Sequence, residues 1–431
     1  MAISAPNRRQ FTAGMGLAMA LPPLCTRTSN AMERITMTPE MRGSRLFADV
    51  KTYVDFGSHH HTGLAADLQV SDWQAEHLAK LGFDVTRSAV PIRQYTSTSA
   101  DLMVEGQQIN IHPQWPQPLE HFSLTAPLTD RITDPQAAIP QGAIALVRVS
   151  ENTIDTDTNL AQINPAIAAG AGAIIAISTH ETGQFQIGNV SEKLPPFPVP
   201  VVLAGERDLP ALQAAKEAHL SLQGTFQQVA GQSVTGKIDR GRKWIIVSTP
   251  QSGWTQCGGE RGPGIALFRA LASILAQRPH GPSLCFTSNS GHEFHNLGAR
   301  LLHETGELPP PEDTALWLHL GAGFASRAWV VDDFNLTFNE KHAGALFMAT
   351  PDIVTTLTAD FNGLLAQVTS TDNFNVGEML AVTAHGYAPA IGIVGKHSHH
   401  HIVGDDASTT SPALLERMAH TTLAMTDQIV P

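Results

Sequence analysis

The chain has 431 residues, 42% of them hydrophobic, enough for two or three domains around a sizeable core. Its formal charge of −12 argues against nucleic acid and anionic membrane as partners, and three cysteines are too few for a disulfide framework. Histidine stands out, with 20 copies, several in runs.

Residues 1–35 read as a leader and linker. Arg8 and Arg9 precede Phe11 and a mildly apolar stretch of small residues, too short to span a bilayer as an ordinary helix. Ala18-Met19-Ala20 offers a small-x-small cleavage site. The stretch resembles a twin-arginine export signal, which implies a periplasmic or secreted protein with no membrane association after cleavage. That route carries folded proteins, which suits a metalloprotein loaded before export.

Residues 36–99 open the main domain. Within 63–84, Trp73, Leu78 and Leu81 supply the apolar face of a helix, and Gly82 stops it. "DVTRSAVPI" then reads as a strand. Over 100–235 the character changes to short β-like runs and prolines, "AIALVRV", "GAIIAIS" and "FPVPVVLA", with "NPAIAAGAGA" as a small-residue helix. Residues 236–431 return to the main domain. "RKWIIVST" is a buried strand, followed by a glycine-rich loop without the GxxxxGK[ST] pattern of a nucleotide site. "GIALFRALASILAQRP" is an amphipathic helix with Phe268, Leu271 and Leu275 inward. "SLCFTSNS", "ALWLHLGAG" and "PAIGIVG" are further strands. The closing helix, 410–430, has Pro412 in its first turn and Leu415, Met418, Met425 and Ile429 on one face. Strand–helix alternation predicts an α/β fold, a mostly parallel central sheet flanked by helices, with a β-rich insert.

In such sheets ligands sit at the carboxyl ends of the strands. Glu260, His292, Glu293 and His319 fall just after or at the end of apolar strands, and His401 lies in the loop after "PAIGIVG". Five side chains of metal-ligating type therefore converge by topology. "GHEFHNLGAR" (291–300) is close to HEXXH, but His292 and His295 are three apart, not four. At ~100° per residue the second imidazole is turned sideways, so the zinc-protease helix does not form.

The order of these motifs resembles the co-catalytic zinc exopeptidases of clan MH, the bacterial leucyl aminopeptidase and glutamate carboxypeptidase type, over residues 45–431. "QGAIALVRVS", "AIAAGAGAIIAIS" and "VPVVLAGERDLPAL" resemble the protease-associated domain inserted in some exopeptidases. The resemblance places Glu293 on a zinc-binding glutamate and His292 on the general-base glutamate. It places Glu260 on the bridging aspartate, His319 on a later aspartate, His401 on the late histidine and Asp405 on the aspartate after it. Thr249 and Gln251 stand where the family has His-x-Asp. The expectation is one divalent metal, zinc, held by Glu260, Glu293, His401 and His319 with an open position for water, and His292 as base. Asp405, Thr249, Gln251 and Cys257 form the supporting set; Cys257 is also a candidate soft ligand or nucleophile. The His59–His61 run and the other histidines of "KHSHHH" read as polar loops lining the cleft. Two functions compete: a hydrolase of a small peptide or amide, and a catalytically inactive homologue that binds a peptide, small ligand or metal.

Overall fold

A computed structural model describes residues 38–361 and 365–430; the leader with Arg8 and Arg9 lies outside them. The apolar runs of the C-terminal part form strands buried on both faces, as parallel strands between helix layers must be. Ser283–Asn289 is buried throughout and Trp244–Pro250 from its second residue on. Four strands make the parallel centre of the sheet, in the order Ala390–Gly395, Thr314–Leu320, Trp244–Pro250, Ser283–Asn289. Ala345–Ala349 adds antiparallel beyond the first of these, and Ala366–Ser370 pairs parallel with it at the edge. All four central strands end on one side, so the loops after them share one face.

Helices cover the sheet. Gly262–Ala276 starts with Pro263 in its first turn and buries Phe268, Leu271 and Leu275, as its spacing predicts. Pro412–Ile429 is capped by Ser411, whose hydroxyl accepts from Leu414 N, and buries Leu415, Met418 and Met425, with Ile429 half-buried against the same core. Among the described residues no helix is long and apolar enough to cross a membrane.

A long antiparallel ribbon leads to the insert. Asp84–Val104 pairs with Glu217–Ile238, from Asp84 opposite Lys237 to Val104 opposite Ala218, with an irregularity between Ser97 and Ser99. The insert's own sheet runs His121–Asp130, Ile144–Val149, Ala173–Ser178, Val201–Gly205 in parallel, with Ile111–Pro113 antiparallel at the edge. The helix Asp157–Ala168 joins two neighbouring parallel strands. A parallel pair needs such a crossover, and the helix expected at the small-residue stretch supplies it, starting earlier than "NPAIAAGAGA". Its apolar side does not face water. Trp115, Ile154, Phe185, Ile187 and Val190 share one core with Val90, Trp254, Phe294 and Leu297 of the main domain.

Candidate metal centre

The loop after Trp244–Pro250 carries Glu260. Cys257 takes a left-handed conformation (φ 53°), and Gly258 and Gly259 follow. A Cβ on Gly259 would lie 2.3 Å from Thr409 Oγ1, so only glycine lets this loop press against residues 405–409. Asp405 fixes it there, accepting from Gly259 N (2.8 Å), Glu260 N (3.1 Å) and Thr409 Oγ1 (3.1 Å). The same carboxylate lies 2.9 Å from His397 Nε2. Burial opposes charge on His397, yet Asp405 raises its pKa above the ordinary value. Asp405 thus supports the backbone under Glu260.

Glu260, His400 and His401 offer ligand atoms within 4.8 Å of one another. Glu260 Oε1 is 3.4 Å from His401 Nε2 and 3.9 Å from His400 Nδ1. Ligand atoms around a tetrahedral ion with bonds of about 2.0–2.1 Å lie roughly 3.4 Å apart, so the first pair has that span and the second is slightly wide. His401 is also left-handed (φ 60°), and its Nδ1 is 2.9 Å from Ile187 O. The carbonyl holds the proton on Nδ1 and leaves the Nε2 lone pair toward Glu260, the usual outer support of a ligating histidine. The His400 ring stacks on it at 3.9 Å, with Nε2 3.1 Å from Asn152 Nδ2; Nδ1 becomes free to ligate once the Asn152 amide is turned end for end, so that its oxygen accepts from Nε2. Oε1 of Glu260 is buried and lies 2.8 Å from Arg261 Nη2. One carboxylate and two imidazoles around such an oxygen fit a single zinc-like ion.

Arg261 shares this centre. It is 1% exposed; its Nε donates to Ser252 O at 3.0 Å and its Nη2 lies 2.8 Å from Glu260 Oε1. Its Nη1 is buried without a partner. Burial alone would raise the Glu260 carboxyl, but Arg261, then His401, hold it well below the usual carboxylate range.

The structure does not bring Glu293 into the group. Both of its oxygens are taken: Oε1 by Thr62 N (2.8 Å) and Oγ1 (2.7 Å), Oε2 by Ser252 Oγ (2.7 Å). His319 lies elsewhere too, with Nδ1 2.9 Å from Ser248 Oγ and 3.9 Å from Glu378 Oε2. Burial pushes it down to about 4. His292 Nδ1 is 3.3 Å from Glu378 Oε1. Burial, then Arg261, hold His292 well below the ordinary histidine value, so it is a weak proton acceptor near neutral pH. His292 and His319 therefore surround Glu378, whose pKa burial raises and whose Oε2 accepts from Asn289 Nδ2 at 2.8 Å.

The supporting set divides likewise. Thr249 Oγ1 donates to Leu320 O, and Gln251 binds Asp67 and Ser71 through Nε2 and Ser288 through Oε1. Both are turned to the protein interior away from the three donors. The Cys257 thiol is pushed well up by burial, then Glu260, and lies 3.7 Å from Glu260 Oε2 as a weak donor. A thiol so held is not a ready nucleophile. Cys257 and Cys285 are both free and buried. Residues 291–296 turn rather than spiral: His295 and Asn296 are left-handed, and the helix starts only at Leu297.

The insert closes the centre from above. Ile187 N donates to His401 O (2.9 Å), Val190 N to Glu293 O (3.1 Å) and Gln186 Nε2 to His400 O (2.8 Å). Arg261, His400, Glu378 and this segment all went unassigned in the sequence.

With the parallel sheet and the donor-bearing loops in place, the α/β fold can be compared with solved structures. The chain is similar in structure to BSAP, a zinc aminopeptidase from Bacillus subtilis, with TM-score 0.68 and 17% identity over 90% of this chain and 95% of that one. It is similar to a peptidase M28 precursor from Shewanella amazonensis, with TM-score 0.66 and 15% identity over 90% and 93%. An aminopeptidase from Aneurinibacillus sp. strain AM-1 gives TM-score 0.60 and 14% identity over 91% and 94%. At these identities the likeness is one of fold. No protein-family model and no curated protein matches the chain.

Proposed function

We propose that the chain holds one divalent ion, zinc by the chemistry of its donors, on Glu260, His400 and His401, and hydrolyses an amide bond in a small peptide-like substrate. The observation that carries this reading is the placement of ligand atoms of Glu260, His400 and His401 within 4.8 Å of one another, beside a buried carboxylate held ionised by Arg261. The aminopeptidase names of the structural neighbours lend it support. A bound zinc supplies Lewis acidity and an acidified water. The protein's own part is positional: Asp405 sets Glu260, and Ile187 O sets the His401 ring. Glu378 and His292, 3.3 Å apart, form the acid–base unit in place of His292 alone, because a raised carboxyl and a lowered imidazole can share one proton. The Arg8-Arg9 leader supports export to the periplasm.

A second reading, an inactive homologue that binds metal or ligand, draws on the segment 186–190, which hydrogen-bonds over the centre. Elemental analysis of the untagged chain separates the possibilities. The expected result is about one zinc per wild-type chain, none in Glu260→Gln or His401→Ala, and full retention in Glu293→Gln. Zinc with turnover of dipeptides or aminoacyl amides supports the hydrolase; zinc without turnover selects the second reading. Equal metal in wild type and Glu260→Gln overturns both.

A further inference from the structure

The geometry points to Asn152 as the positioning residue of His400: the two ends of its amide serve the two tautomers of that ring, so that metal binding and the seating of the insert are coupled. This rests on the single-ion reading of Glu260, His400 and His401. Those ligands belong to the main domain, yet the bonds that hold two of them come from the insert. Ile187 O lies 2.9 Å from His401 Nδ1, and Ile187 N donates to His401 O at 2.9 Å. Gln186 Nε2 donates to His400 O at 2.8 Å, and Asn152 Nδ2 lies 3.1 Å from His400 Nε2. Glu260, by contrast, is set from within the main domain, through Asp405. The donor set thus straddles the boundary between the two units.

With Nδ2 toward the ring, Asn152 donates to Nε2, and the proton of a neutral imidazole then sits on Nδ1, the nitrogen 3.9 Å from Glu260 Oε1. Burial, then His401, keep the ring neutral. A metal at Nδ1 needs the lone pair there, so the proton must move to Nε2, and Nε2–H then needs an acceptor. Asn152 supplies one by turning end for end, which puts Oδ1 where Nδ2 was. The ring stays neutral: one N–H bond breaks at Nδ1, one forms at Nε2, and no net proton is released. The His400 side chain is 16% exposed, so water can carry the proton between the two nitrogens. A ligated imidazole is a stronger N–H donor, and both outer N–H groups, on His400 Nε2 and His401 Nδ1, then bind oxygens of the insert. Metal binding therefore tightens the insert on the main domain, and a seated insert tightens the metal by the same factor.

The test uses the untagged full chain. Zinc affinity is read by competition with a chelator, and seating of the insert by hydrogen exchange at the Ile187 amide. Asn152→Leu offers His400 neither donor nor acceptor and should bind zinc about tenfold more weakly. Asn152→Asp offers an acceptor only and should bind zinc at least as tightly as wild type, which guards against a variant weakened by lost packing. In wild type, zinc should slow exchange at Ile187 about tenfold, and Asn152→Leu should lose most of that slowing. If Asn152→Leu binds zinc like wild type, if Asn152→Asp is weakened as much as Asn152→Leu, or if zinc leaves Ile187 exchange unchanged in wild type, the coupling through Asn152 is wrong and the metal reading stands. If wild type takes up no zinc, both fall together.

Discussion

At the scale of single residues the molecule places several charges where water cannot reach. Asp67 is the clearest. It is fully buried and accepts from Gly63 N, Ser290 Oγ and Gln251 Nε2, yet burial outweighs these donors and pushes its pKa from 3.8 to about 7. Because the folded state favours the protonated acid, this group's contribution to stability is complete below pH 3.8 and is lost as pH rises through 7. Compared with Asp67→Asn, wild type should lose on the order of 3 kcal/mol between pH 4 and pH 7, at 1.36 kcal/mol per pH unit, and then level off. Urea unfolding at a series of pH values measures it; parallel curves for the two proteins would show that Asp67 does not titrate in that window. The site residues show how far a sequence carries such detail. Glu260 and His401 are legible because each follows an apolar strand. Which histidine of a run ligates depends on ring direction, here set by the left-handed backbone at His401 and by Ile187 O, and so His400 was passed over. Glu293 matches a ligand motif, but Thr62 and Ser252, far off in the chain, claim its oxygens. Glu378 stands in no motif and reaches His292 and His319 only through the fold.

At the scale of elements, the strands and long helices were legible because their apolar spacing coincides with burial. The closing helix and Gly262–Ala276 bury the residues their periodicity names. The segment between Ala173–Ser178 and Val201–Gly205 was not, since it has no period. It is held by contacts made across the molecule: Gln186 to His400, Ile187 to His401, Val190 to Glu293. It acts as a cover that grips the centre through these bonds, the His401 Nδ1 to Ile187 O and Trp254 Nε1 to Asn189 Oδ1 bonds, and the side chains of Phe185, Ile187 and Val190. Removing one such bond weakens the cover by about 1 kcal/mol. Gln186→Ala should therefore release bound zinc about fivefold faster to a chelator, with the zinc count unchanged. An unchanged release rate in stopped flow would mean that metal leaves by a path that does not lift this segment.

At the scale of the whole molecule, the α/β class and the existence of the insert follow from composition, but the seating of the insert does not. Its composition says nothing of where it packs; the shared core of Trp115, Phe185 and Ile187 with Trp254 and Phe294 makes it a wall of the centre. The two halves of the main domain communicate with it through the ribbon Asp84–Val104 and Glu217–Ile238. Ile175, fully buried in the insert's sheet, lies far from the metal centre in the chain. Ile175→Ala should cost roughly 2–5 kcal/mol locally. It should also slow refolding of the entire protein, read by tryptophan fluorescence; a loss of stability with an unaltered refolding rate would show that the insert forms late.

The ribbon's register puts this in the order of synthesis. Asp84 pairs with Lys237, and the helices Gly43–Asp55 and Ala65–Lys80 leave the ribosome long before the elements they pack on, Gly262–Ala276 and Pro412–Ile429 for the first and Glu217–Ile238 for the second. Until then their apolar faces have no destination. An insert that folds while the rest is still being made draws the two ends of the ribbon together and shortens the loop the main sheet must close. In this chain the inserted unit is thus a clamp in time as well as a wall in space, bringing the early helices to their packing partners as soon as those exist.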